Sequence, residues 1–416
     1  MVSFSKSLLS NGLTVIVHED SSTPLATVNL LYKVGARDED PARTGFAHLF
    51  EHLMFGGSVN IPEYDEPLQL AGGDNNAFTN NDITNYYCTL PANNLETAFW
   101  LESDRMLSLA FSEKSLEVQR QVVIEEFKQR YLNQPYGDVW LLLRPLAYKI
   151  HPYQWATIGK EIAHIEQATL QDVRDFFFRY YCPDNAILVV AGGVKTDEVL
   201  TLAEKWFGGI QRKINNRLPY PSEPVQTAQR RLTVNRDIPF DAIYIAFHAC
   251  SRLDSEFYAT DLMTDILSRG KSSRLYNRLI KEKKLFSDIS AYLTGDFDKG
   301  LVVVEGKLLK NVDINQAEAA IWEELNVICE ELVGEAELEK VKNKVESTIE
   351  FSEMDLSGRA LSLAIAEYMG NTELVNTEMK LYTAVNRSNI RDTAKSIFKQ
   401  ENASVLHYLT NNGNNS

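Results

Sequence analysis

Residues 47–56 read AHLFEHLMFG, and everything else in the chain has to accommodate them. His48 and His52 stand four residues apart, with Glu51 between them, in an otherwise apolar run. On an α-helix, positions i and i+4 project from one face about a turn apart, so both imidazoles can converge on a single ion. Glu51, three residues after His48, lies on the same side. A structural helix with internally bonded histidines is the plainer reading of a lone His, but His-x-x-Glu-His among only seven histidines points to zinc. Gly45 and Gly56 bracket the helix, and Leu49, Phe50, Leu53, Met54 and Phe55 give it a face to bury.

A catalytic zinc ion usually takes three protein ligands and keeps one position open. The third is sought in SLEVQRQVVIEEFKQRY (residues 115–131), a helix by its period, with Leu116, Val123 and Phe127 on one side. Glu125 and Glu126 are adjacent and differ by about 100° around the helix, so only one can face the ion squarely. Spacing does not choose between them. Gln119, Val122 and Glu126 share a stripe, which makes Gln119 a candidate hydrogen-bond partner behind the ligands. Glu51 cannot comfortably ligate the ion that its neighbour His52 holds; it is placed to take a proton from water and pass it to a leaving amine. His151 and His164 read as structural, and His248 and His407 sit in β-like runs with no acidic partner at ligand spacing.

The chain has 416 residues, 44% of them hydrophobic, enough for two to four domains of about 100–200 residues each. A formal net charge of -15 argues against nucleic acid or an anionic membrane as partner. Cys88, Cys182, Cys250 and Cys329 are scattered without a CxxC pair, which fits neither a disulfide framework nor a thiolate zinc site. The N-terminal segment lacks the features of a secretory signal, and no run approaches the roughly 18 apolar residues of a membrane span. A reducing, cytoplasmic setting is therefore expected, with the periplasm open if the sequence is numbered after processing. No Gly-rich phosphate loop opens a helix.

One boundary stands out. QRKINNRLPYPSEPVQTAQR (residues 211–230) holds three prolines and little apolar periodicity, as an exposed linker would. The expected division is an N-terminal domain over residues 1–212, a linker over 213–230 and a C-terminal domain over 231–416. Each half opens on β-rich runs followed by a helix: LTVIVHED and LATVNLLYKVGARDE in the first, LTVNRDI and DAIYIAFHACSRLD before FYATDLMTDILSRG in the second. This pattern suggests a duplicated unit of about 200 residues. The fold class expected is α+β, two homologous domains each with a mainly antiparallel sheet packed by helices.

The inverted motif HLFEH, with VVIEE 73 to 74 residues after His52, resembles the pitrilysin or insulinase-like metallopeptidases. The likeness is to the shorter branch, which includes mitochondrial processing peptidase subunits and bacterial two-chain proteases. It extends over nearly the whole chain, through NGLTVIVHED, GFAHLFEHLMFGGS, GGDNNAFTNNDITNYY, NQPYG, HPYQWATIG and GKSSRLYNRL. The resemblance implies one zinc ion per chain held by His48, His52 and Glu126, with Glu126 rather than Glu125 as ligand. It also implies an edge strand at NNAFT whose Asn76, Ala77 and Phe78 bind extended peptide. Relatives that act alone carry an Arg and a Tyr in the second half; here LIKEKKLFSDISAY puts Leu279, Ile280 or Lys281 near the first position and Phe286 at the second. The resemblance thus implies the zinc-bearing subunit of a heterodimer whose partner supplies Arg and Tyr. The alternatives are an active homodimer in which Lys281 or Tyr292 substitutes, and a non-catalytic assembly subunit.

Overall fold

The computed structural model describes residues 1–212 and 219–411. The central apolar runs of the sequence become the centres of two sheets. In the first, β1 (Ser5–Leu8), β2 (Thr14–Glu19), β3 (Leu25–Tyr32), β4 (Asp74–Thr79), β5 (Thr84–Pro91) and β6 (Ala186–Gly192) lie in the order β1-β2-β6-β3-β5-β4. Every residue of β6 is buried, which is why AILVVAG runs unbroken rather than alternating. The second sheet contains β7 (Arg230–Arg236), β8 (Ala242–His248), β9 (Phe286–Leu293), β10 (Leu301–Leu308) and β11 (Ala403–Thr410), ordered β7-β11-β8-β10-β9. Each sheet is antiparallel except for one parallel pair, β2 with β6 and β7 with β11. Setting β1 aside, both sheets run first, last, second, fourth, third in chain order. Two elements also recur at one sequence shift: Thr84–Pro91 as Leu301–Leu308 and the helix Leu170–Tyr180 as Arg387–Ile397, 217 residues on, from 84 to 301 and from 170 to 387. The fold is a two-domain α+β architecture with a repeated sheet.

The compact units do not follow a single cut. One comprises residues 1–128, 155–220 and 349–377; the other comprises 129–154, 221–348 and 378–416. The boundary expected at 213–230 is thus one of several crossings, and residues 213–218 of that segment lie outside the described residues. Beyond them most residues of 219–230 are exposed, as expected, but Glu223 accepts the backbone N–H groups of Lys149, Ile150 and His151, and Gln226 is buried with its amide on the Ala403 carbonyl, so the segment is pinned at two points.

The exchange has a packing cause. In the first unit the helix Leu356–Tyr368, from the second half of the chain, lays Leu356, Ala360, Leu363 and Ala364 on Ile16, Leu31, Ile187 and Val189. Arg359 pairs with Asp20 at 2.8 Å, and Arg37 donates to the Tyr368 hydroxyl at 2.6 Å. In the second unit the helix Val139–Ala147, from the first half, packs Val139, Leu143 and Ala147 against Ala242, Val303 and Leu406. Among the described residues no helix is long and apolar enough to cross a membrane.

Leu363→Ala should therefore cost about 2–5 kcal/mol, the usual range for a buried leucine. Hydrogen exchange should show loosened protection in β2, β3 and β6, although the mutation lies in the second half of the chain. Losses confined to β7–β11 would contradict this packing.

Candidate metal centre

The motif forms a helix over Phe46–Leu53, with Phe46, Ala47, Leu49, Phe50 and Leu53 buried. Its start demands Gly45, whose φ is +90° and where a Cβ would meet the Ile158 carbonyl oxygen at 2.6 Å. The first turn is tied down by Glu39. One carboxylate oxygen accepts the Gly45 N–H at 2.9 Å and the other the Ala47 N–H at 2.8 Å, satisfying donors that a helix start leaves open. Burial pushes the Glu39 carboxyl up to about 8, against the opposing pull of those two N–H groups. Sequence reading missed Glu39, although an acid six residues ahead of a glycine helix start was a usable signal.

The buried face rests on aromatic rings. Phe50 stacks on Tyr181 at 5.2 Å between centroids, and Phe55 meets Tyr64 edge-on at 5.8 Å. Beneath them Arg105 is buried, held by Glu102 through two hydrogen bonds of 2.8 and 2.6 Å and set over the rings of Tyr86 and Tyr64. The helix is thus clamped at its N-terminus by a carboxylate and along its face by rings.

The polar face meets the helix Glu113–Phe127, whose start Ser112 caps by accepting the Ser115 N–H. Glu126 Oε2 lies 3.6 Å from His48 Nε2 and 3.4 Å from His52 Nε2. The two imidazoles are nearly perpendicular, with centroids 4.8 Å apart. Tetrahedral zinc with arms of about 2.0–2.1 Å separates its ligand atoms by roughly 3.4 Å, so the spacing and the two-imidazole, one-carboxylate donor set fit that ion. Among the described residues this is the one group of three His, Cys, Asp or Glu side chains able to share an ion. The three side chains are between 13% and 25% exposed, which leaves a further position reachable from solvent.

Glu125 points the other way and pairs with Lys128 at 2.7 Å. Glu51 is half-buried on the motif helix, and its charge is felt by the buried hydroxyls of Tyr86 and Tyr181. Gln119 is half-buried two turns before Glu126 and makes no hydrogen bond to the group, so the structure gives no contact for its expected supporting role. Asn76, Ala77 and Phe78 lie in β4 at the edge of the first sheet, where Asn76 Oδ1 accepts the Ala77 N–H at 2.8 Å and Phe78 packs toward the core.

The remaining histidines are engaged elsewhere. His164 bonds Thr44 and lies 3.1 Å from Glu161; His151 lies 3.1 Å from Asp298; His248 bonds the Ala147 carbonyl. His407 does have an acidic partner, contrary to the spacing argument: Glu318 at 2.7 Å, brought from a helix 89 residues away in sequence.

Residues 14–158 match the family model described as insulinase (peptidase family M16), and residues 167–345 the one described as the peptidase M16 inactive domain. The chain is 31% identical over 344 residues to the zinc protease PqqE of Helicobacter pylori, covering 80% of this chain and 76% of that protein. It is 26% identical over 390 residues to the probable mitochondrial-processing peptidase subunit beta of Schizosaccharomyces pombe, covering 90% and 82%. The crystal structure of a protease from Helicobacter pylori superposes with a TM-score of 0.92 at 27% identity, covering 98% of this chain and 100% of that one.

His48→Ala, His52→Ala and Glu126→Gln should each remove most bound zinc, while Glu125→Gln retains it; elemental analysis with the two glutamates reversed would refute the geometry. A second test concerns Glu39. Its carboxyl, near 8 when folded against an ordinary 4.5, holds a proton in the folded state that the unfolded chain has released between those values. Stability should fall as pH rises through that window, and Glu39→Gln should flatten the trend. Parallel urea midpoints for both proteins from pH 5 to 8 would contradict it.

Proposed function

Because the chain belongs to peptidase family M16, the insulinase family, we propose that it is a zinc-dependent endopeptidase acting on extended peptides or unfolded segments. The observation that carries this reading is the His48, His52 and Glu126 group, with Glu51 on the same helix as the two imidazoles. Zinc held there would polarise a peptide carbonyl and acidify a water molecule. The protein's own part is proton handling and alignment. Glu51 accepts the water proton at its carboxylate and returns it to the departing amine nitrogen. The motif helix keeps Glu51 beside the imidazoles, and its clamped N-terminus and buried face limit drift of that geometry.

Substrate is taken as an added strand along β4, whose outer edge pairs with no other strand among the described residues. A backbone-reading edge favours extended chains over particular side chains. The Asn76 to Ala77 bond must open to free that N–H for the substrate.

The working unit in this proposal is two chains. Near the positions where self-sufficient relatives carry Arg and Tyr stand Leu279, Ile280 or Lys281 and Phe286; Leu279 and Phe286 are buried and Ile280 is half-buried. The homodimer alternative calls on Lys281 and Tyr292, but the Lys281 ammonium lies over the Tyr276 ring and the Tyr292 hydroxyl bonds Glu305 at 3.3 Å. Both are occupied within their unit, which favours a homologous partner chain that supplies the missing pair.

Zinc-loaded Glu51→Gln should keep metal and fold yet lose turnover of a quenched peptide; near-normal cleavage would remove Glu51 from the proton path. The wild-type chain alone should turn over slowly, and a partner with Arg and Tyr should raise the rate by about 10² to 10³ at one-to-one stoichiometry. High activity without a partner would favour the homodimer.

A further inference from the structure

Residues 35–39, GARDE, bond at one end to the hairpin that carries β4 and at the other to the motif helix. The β4–β5 hairpin turns through residues 80–83, NNDI. This turn closes on itself, because the Asn80 side-chain oxygen accepts the Asp82 and Ile83 N–H groups at 2.8 and 2.9 Å. It docks on GARDE, whose Ala36 and Arg37 N–H groups end on the Asn80 and Asn81 carbonyls at 3.0 and 2.9 Å. Gly35 lets the two backbones meet, since a Cβ there would lie 2.5 Å from the Asp82 nitrogen and the Asn81 carbonyl carbon.

The Arg37 side chain adds a clamp to this backbone contact. One guanidinium nitrogen pairs with the Asp82 carboxylate at 2.6 Å, and another donates to the Tyr368 hydroxyl at 2.6 Å. The guanidinium also lies over the Tyr220 ring, 4.7 Å from its centroid. Asp82 is buried, so little water competes for this charge-assisted bond. Two residues beyond Arg37, the Glu39 carboxylate accepts the Gly45 and Ala47 N–H groups. A five-residue segment thus ties the edge strand and the ion-binding helix to one reference. The strand depends on it, because β4 has a neighbour on one side only and is at least partly exposed along its length.

We propose that Arg37 is a positioning residue for peptide cleavage: by holding Asp82 it fixes β4, and any peptide paired along it, at a set distance from His48, His52 and Glu126. The proposal rests on the peptidase reading and adds a residue that acts through β4 rather than on the reacting atoms. Backbone pairing along β4 does not require Arg37, so a peptide still binds when the guanidinium is lost. What changes is where the scissile carbonyl falls, and an error of about 1 Å there costs on the order of 10² in rate.

The test compares zinc-loaded wild type, Arg37→Gln, Arg37→Lys and Asp82→Asn on an extended quenched peptide, alone and with a partner chain that carries Arg and Tyr. Zinc content and hydrogen exchange are measured on the same samples. Arg37→Gln and Asp82→Asn should each keep zinc and lose about tenfold to a hundredfold in kcat, while KM changes by less than about twofold. Combining the two should cost no more than either alone, since both remove one bond. Arg37→Lys should recover part of the loss, because an ammonium can pair with Asp82 but lacks the fork that serves Tyr368 as well. Exchange should quicken at residues 80–83 and in β4, with the motif helix as protected as in wild type. Zinc loss that tracks the loss of rate would overturn the inference by placing the effect on the ligand group, and so would unchanged exchange in β4. A wild-type chain that cleaves nothing, with or without the partner, sinks the peptidase reading and the inference with it. An active wild type with equally active Arg37→Gln and Asp82→Asn sinks the inference alone.

Discussion

Two backbone N–H groups, those of Gly45 and Ala47, end on the two oxygens of one buried carboxylate, and the placement of the ligand group depends on that bond pair. A helix of eight residues has little stability of its own, and its open N-terminal donors would otherwise be buried without partners. Glu39 supplies both acceptors from outside the helix and fixes its rotation and its height. The imidazoles at 48 and 52 then arrive at Glu126 with tenths of an ångström to spare. Ring stacking under Phe50 and the Arg105–Glu102 pair restrain the other face.

Much of this was legible in the sequence. LATVNLLYKVGARDE and DAIYIAFHACSRLD open on β3 and β8, because β-branched and aromatic runs are local signals. The motif helix was legible because its spacing is itself the chemistry. What escaped were relations across long separations. Glu39 serves a helix it does not belong to; His407 meets Glu318 across 89 residues; Gln119 shares a stripe with Glu126 yet makes no bond to it, since a stripe fixes direction but not reach. The choice between Glu125 and Glu126 needed the second helix in place, where the exposed one found Lys128 instead.

The repeated sheet shows how one strand order can carry a ligand group in one unit and not in the other. The same strand order is retained in both units, while among the described residues two imidazoles and a carboxylate able to share an ion come together only in the first. Backbone hydrogen bonds and core side chains define the layout; a few surface positions define what can bind. A family model describing the second half as inactive agrees with that loss of ligands.

The exchanged helices matter most during synthesis. The first sheet, complete in its strands by residue 192, lacks the apolar cover of Leu356–Tyr368 until the ribosome has passed residue 368. Domains in most chains fold in turn as they emerge. Here the first unit waits with Ile16, Leu31 and Val189 uncovered, and its longest-range packing closes almost last. A nascent chain therefore carries its histidines long before it carries a finished unit to hold them.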